Sequence, residues 1–292
     1  MRGKDERAAR GVAVGALAAL GLALVAAPGC PRPARPGAAE GGPAAVAVRP
    51  GVRRLPPGGA VGLVTRDGVR LNAEWRTPAG RAPPYPALLL LHDVAGDAGQ
   101  FDAAWAGFEA RGWAALAIDL RGHGGSTARD DGRTLGWETM GPFDVAAMPM
   151  DVWAALDWLR AHPDVDHARI AVLGAGLGAN LAWVASGTEW GVQAAVALSP
   201  GVRVSPAGED IADLAPRGVL IVAGELDPGA AAAARGLAAR SAGSHRLLIV
   251  RGTSGHGTDL LEPGLGAGSV VLPEVVSWIE RRWRDLAAAR AP

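Results

Sequence analysis

Between residues 87 and 252 the chain returns six times to a short, almost wholly apolar run: ALLLLHD (87–93), WAALAID (113–119), RIAVLGA (169–175), VQAAVALS (192–199), GVLIVAG (218–224) and RLLIVRG (246–252). A strand that is apolar at consecutive positions, not at alternate ones, must have both faces covered, as in a parallel sheet flanked by helices. Helical stretches at about 98–111, 149–161, 177–187, 229–242 and 273–288 separate or follow these runs. In the last of them Leu272, Val275, Val276, Ile279, Trp283 and Leu286 recur at helical spacing, and Pro273 is positioned to open the helix. Ahead of the first run, AVGLVTRDGVRLNAEW reads as two strands joined at Asp67-Gly68, a hairpin signal. The expected fold is α/β: a mostly parallel sheet with an antiparallel N-terminal hairpin and helices on both faces.

The first 59 residues have a different character. Arg2, Lys4, Arg7 and Arg10 precede an uncharged run from Gly11 to Gly29, the layout of a secretory signal peptide over residues 1–29. The chain's single cysteine, Cys30, follows directly, and small residues ahead of a lone cysteine resemble a bacterial lipobox, with Ala27 where leucine is usual. On that reading Cys30 is the lipidation site, the protein is exported to the cell envelope, and a lipid anchor ties it to a membrane. A spanning anchor and ordinary cleaved secretion are the competing readings. One cysteine excludes an intramolecular disulfide. Residues 30–59, rich in proline, glycine and alanine, read as a tether, and the folded domain is expected over residues 60–292. Across all 292 residues the formal charge is zero, which gives no reason to expect nucleic acid as a partner.

The decisive local feature is the glycine turn in RIAVLGAGLGANLAWVAS (169–186). Gly174, Gly176 and Ala179 fit the G-x-G-x-x-G/A fingerprint of a dinucleotide site. The same residues, read as Gly174-Ala175-Gly176-Leu177-Gly178, form a G-x-S-x-G nucleophile elbow whose serine has become glycine. A dinucleotide unit carries its fingerprint on the first strand and an acid at the end of the next. Here several strands precede the turn, and the next one ends VALSPG without a carboxylate. No cofactor is expected.

An elbow requires an acid and then a histidine, each after a later strand. GVLIVAGELDPGA supplies Asp227 and RLLIVRGTSGHGTDLL supplies His256, in that order. Upstream, LLLLHDVAGD ends a strand with His92, Asp93 and Val94, and AIDLRGHGGST carries Asp119, Arg121, His123 and Ser126. With these motifs in register, residues from about 60 to 288 resemble the α/β-hydrolase superfamily, and most of all its compact esterase and dienelactone-hydrolase-like members. The resemblance implies an acid at Asp227, a base at His256, oxyanion-hole N–H groups at Val94 and Leu177, and substrate contacts at His92 and Asp93.

The departure from that family lies at the chemistry. Gly176 has no side chain to attack a carbonyl, and loss of the nucleophile from a Ser-His-Asp triad costs on the order of a millionfold in turnover. The sequence predicts a catalytically impaired relative of serine esterases whose vacated position admits water or a ligand carboxylate, in a pocket for a small ester or carboxylate. Two alternatives stay open. His256, backed by Asp227 and assisted by Asp93, activates a water directly against a labile ester, or the protein is a surface-anchored interaction module. Ser126 and Ser254 read as structural or turn residues. No zinc spacing is present among the histidines. Residues 127–148 are the expected partial cover of the pocket, with Trp137 and Trp190 as candidates to line it.

Overall fold

A computed structural model describes residues 58–189, 191–192, 194–201, 214–262 and 266–290. The expected signal peptide, Cys30, the tether up to residue 57, and Trp190 lie outside the described residues.

The opening hairpin pairs β1 (Gly58–Val64) with β2 (Val69–Arg76) in antiparallel register. Thr65 and Gly68 close its turn, where Gly68 adopts a positive φ of 80°. The parallel body follows as β3 (Tyr85–Leu91), β4 (Ala114–Ile118), β6 (Val165–Ala175), β7 (Ala195–Leu198), β8 (Val219–Gly224) and β9 (His245–Val250). A two-residue strand, β5 (Ala128–Arg129), pairs with β2. The sheet order is β1-β2-β4-β3-β6-β7-β8-β9. Each apolar run of the sequence contributes one parallel strand, and all residues of β4, β7 and β8 are buried, as covered faces demand.

Two apolar cores lie on the two faces. Along β3 the side chains alternate, Leu89 and Leu91 joining one core and Leu88 and Leu90 the other. The first core packs α3 (Pro149–Ala161), α4 (Leu177–Thr188) and α5 (Pro228–Arg240) on the sheet, with Trp183 fully buried. The second packs α1 (Trp105–Glu109) and α6 (Gly268–Arg290). Two helical expectations change in detail. Residues 98–104 form a 3-10 turn that leads into the short α1, in place of one continuous helix. Helix α6 starts at Gly268, so Pro273 lies inside it and does not open it. Burial of Val271 against the sheet extends the helix by more than a turn ahead of the proline.

The segment between β5 and α3 holds α2 (Pro142–Ala146), whose Pro142 sits at the helix start. Among the described residues no helix is long and apolar enough to cross a membrane.

Candidate active site

The elbow joins β6 to α4 at Gly176, where φ is 51° and ψ is −108°. Backbone of this kind is sparsely populated, and glycine accepts it most readily. The glycines on either side are required by packing. A Cβ on Gly174 would stand 1.9 Å from the carbonyl oxygen of Gly178, and one on Gly178 would stand 2.1 Å from that of Leu91. The turn is thus pressed between its own strand and the end of β3, and the Gly178 N–H donates to the His92 carbonyl at 3.1 Å.

The space above Gly176 is filled. A Cβ added there would lie 1.8 Å from Oδ1 and 1.9 Å from Cγ of Asp93. The expected vacancy at position 176 is therefore corrected: the carboxylate of Asp93 occupies it, entering from the loop after β3. The Leu177 N–H donates to Asp93 Oδ1 at 2.8 Å, and the Val94 N–H donates to the same oxygen at 2.7 Å. Both expected oxyanion donors, Leu177 and Val94, thus converge on one point, and this chain's own carboxylate oxygen is bound there.

The other carboxylate oxygen, Asp93 Oδ2, lies 3.3 Å from Nε2 of His256. Nδ1 of His256 meets Oδ2 of Asp227 at 2.5 Å. His256 stands at the start of a 3-10 turn (Gly257–Leu261) after β9, with a half-exposed ring. Asp227 ends the loop after β8, and its Oδ1 also accepts from the Ala230 N–H at 3.1 Å, capping α5. One carboxylate thus serves both as helix cap and as histidine partner. The hydrogen bond to Asp93 is the main cause that raises the His256 pKa to about 9; partial burial opposes it and Asp227 adds to it. Burial works to raise the Asp93 pKa, but hydrogen bonds from His256, Leu177 and Val94 outweigh it and hold that carboxyl below its ordinary value. The His256 ring thus holds its proton above the ordinary histidine range, flanked by the carboxyl groups of Asp93 and Asp227.

His92 does not contact the pocket, which corrects its expected substrate role. Its ring is fully buried, with Nδ1 against the Asp93 carbonyl at 2.7 Å and Nε2 accepting from the Leu120 N–H at 2.8 Å. It locks the loop that carries Asp93, and burial lowers its pKa and keeps it neutral. Ser126 is likewise structural: its Oγ donates to the Asp119 carbonyl at 2.6 Å and accepts from the Asn72 N–H at 2.8 Å. Asp119 accepts from Ala98 N–H and Gly125 N–H, each at 2.8 Å, and so ties its own loop after β4 to the segment after β3.

A cleft of about 900 Å³ opens over Asp93, Gly176, Leu177 and His256. The segment after β5 supplies Trp137, Met140, Pro142, Val145 and Met148 to its wall, as the sequence led us to expect of residues 127–148. Two of its lining groups escape a reading of the sequence. Ser199, at the end of β7 with a positive φ of 48°, and His123 are buried, and among the described residues neither Ser199 Oγ nor His123 Nε2 has a hydrogen-bond partner. His123 Nδ1 lies 2.9 Å from the Arg121 carbonyl, so Nδ1 carries the proton and Nε2 is left as an acceptor. Among the described residues no group of three His, Cys, Asp or Glu side chains is arranged to hold a metal ion.

The family model of dienelactone hydrolases matches residues 71–246, which span the sheet from β2 into β9 and include the elbow and Asp227. The chain belongs to the dienelactone hydrolase family. It is similar over 128 residues, at 34% identity, to an uncharacterized protein of Mycobacterium tuberculosis (strain ATCC 25618 / H37Rv) and to its counterpart in strain CDC 1551 / Oshkosh. That match covers 44% of this chain but only 41% of each relative. Among solved structures, the dienelactone hydrolase of Anabaena variabilis superposes with a TM-score of 0.59 at 22% identity, covering 78% of this chain and 99% of that one. Est1E of Butyrivibrio proteoclasticus, determined with ferulic acid bound, gives a TM-score of 0.59 at 17% identity, covering 75% and 98%. The α/β hydrolase GrgF from Penicillium sp. sh18 gives 0.62 at 17%, covering 78% and 99%. At these identities the likeness is one of fold.

Proposed function

We propose that this dienelactone hydrolase family member carries out no serine-type ester hydrolysis, and that its cleft receives a small, largely apolar, uncharged molecule. The observation that carries the reading is the Asp93 carboxylate, which takes up both Leu177 and Val94 N–H groups at the point where an ester carbonyl would need them. Without a hydroxyl at Gly176, and with the hole already filled, neither half of acyl transfer is available. The same carboxylate repels a ligand carboxylate from that point, so the ester half of the sequence-based expectation is retained for the cleft and the carboxylate half is not. His123 and Ser199 line the cleft, and the lack of a partner for their Nε2 and Oγ among the described residues suits a ligand that carries a hydroxyl or another small polar group. Export and lipid anchoring through Cys30 belong to this reading as well, and put the cleft in the cell envelope.

The test is direct. Purified protein is offered a fluorophosphonate probe and short-chain p-nitrophenyl esters. No covalent phosphonate adduct and no ester turnover above that of a denatured control are expected. A phosphonate adduct on any serine of this protein, with matching ester turnover, overturns the reading.

A further inference from the structure

We propose that Asp93 is itself a nucleophile, one that displaces a halide from a primary alkyl carbon and is regenerated by His256, so that the protein hydrolyses carbon–halogen bonds through an aspartyl ester. This rests on the reading that serine chemistry is absent, and it names the substrate class of the same cleft.

The two oxygens of the Asp93 carboxylate stand in different surroundings. Oδ1 is held by two backbone N–H groups, at 2.8 Å from Leu177 and 2.7 Å from Val94, while Oδ2 faces His256 at the floor of the cleft. A carboxylate attacking an ester carbonyl would form an anhydride, and the developing oxyanion would find both donors engaged. Attack on a saturated carbon develops no oxyanion and makes no demand on them. Oδ2 forms a bond to the carbon, the carbon–halogen bond breaks, and the halide departs with the bonding pair. Ser199 lines the same cleft, and among the described residues its buried Oγ has no hydrogen-bond partner.

The product of that step is an ester whose carbonyl oxygen is Oδ1, already seated between Leu177 and Val94. The hole then has a carbonyl to serve, which explains why it persists in a chain without an elbow hydroxyl. His256 takes a proton from water, the hydroxide adds to Cγ of Asp93, and negative charge gathers on Oδ1 between the two N–H groups. Collapse expels the alkoxide, which His256 reprotonates, and the new carboxyl releases a proton. The balance is one alkyl halide and one water converted to one alcohol, one halide and one proton. Esterification of Asp93 also removes one of the two carboxylates that keep the His256 ring protonated, so the ring first gives its Nε2 proton to solvent, acts as the base in the step that needs one, and regains that proton when the Asp93 carboxylate is restored.

The experiment uses the wild-type full-length protein and 1-bromobutane as probe, in water enriched with oxygen-18, under single-turnover conditions. Bromide release is expected, with the heavy oxygen in the Asp93 peptide and ordinary oxygen in the butanol. In His256→Gln the butyl ester of Asp93 should accumulate and be visible as an intact-mass increase, and in Asp93→Asn both bromide release and adduct should vanish. Heavy oxygen in the butanol and none in Asp93 would overturn the proposal in favour of direct attack by water. Absence of both bromide release and adduct would overturn it outright. Neither result touches the serine-free reading, which fails only through the phosphonate and ester assays run on the same preparation.

Discussion

Gly176 and Asp93 are complementary: the side chain missing from one residue is replaced in space by the carboxylate of the other, which comes from the distant loop after β3. Each N–H to a charged acceptor is worth about 1.5–3 kcal/mol, so a serine introduced at 176 must displace a well-held group. Gly176→Ser alone is therefore expected to label poorly with a fluorophosphonate. Asp93→Gly combined with Gly176→Ser, which clears the hole and supplies the hydroxyl, should label at least about a hundredfold faster. Equal labelling of the two variants would show that Asp93 does not obstruct the site. His256 gives a second prediction. Its folded pKa of about 9 lies above the ordinary histidine value, so the stabilisation it brings is fully present below about pH 6.5 and is lost as pH rises through about 9. For a half-exposed ring this is on the order of 1 kcal/mol after screening by solvent. Urea unfolding of wild type and His256→Gln should differ most at about pH 6 and converge above the folded pKa, and in Asp93→Asn the imidazole should titrate lower by NMR.

At the scale of elements, the turn between β6 and α4 works because two glycines let a helix approach within contact of a strand end. Gly178→Ala drives a methyl group to 2.1 Å from the Leu91 carbonyl oxygen, a backbone atom that cannot step aside. A loss of about 3 kcal/mol in unfolding free energy is expected. Gly62→Ala in β1, where no atom lies within 4 Å of the added carbon, is the matched control and should be near neutral. Both are measured by denaturant midpoint. The apolar runs were legible because burial on both faces leaves no position for a polar residue. The start of α6 was less so: proline disfavours the helix interior locally, and only the packing of Val271 outweighs it.

At the scale of the whole molecule, the opening hairpin and the helical face are joined by charge. Arg121, fully buried, pairs with the equally buried Asp151 at the start of α3 at 2.8 Å and with Asp67 of the hairpin turn at 2.7 Å. Removing only the cation leaves Asp151 buried and uncompensated, so Arg121→Met should cost about 3–5 kcal/mol. Arg121→Met with Asp151→Leu should recover much of that, and thermal unfolding of the three proteins checks it. The N-terminal segment makes a prediction of its own: if Cys30 carries lipid, full-length protein expressed in a bacterium fractionates with membranes, and Cys30→Ala shifts it to the soluble fraction.

The sequence alone determined the layered α/β architecture, the family resemblance, and the chain order of elbow, acid and histidine, because these follow from burial periodicity and from short motifs read in series. It also determined that no serine attacks from position 176. What it left open was the direction of one side chain. Whether Asp93 points to solvent, to substrate or across the elbow depends on how closely β3 and α4 approach. It depends as well on two N–H groups from separate loops meeting at one oxygen, and on a histidine brought in from behind β9. Those are distances between segments far apart in the chain, and only the tertiary structure decided them.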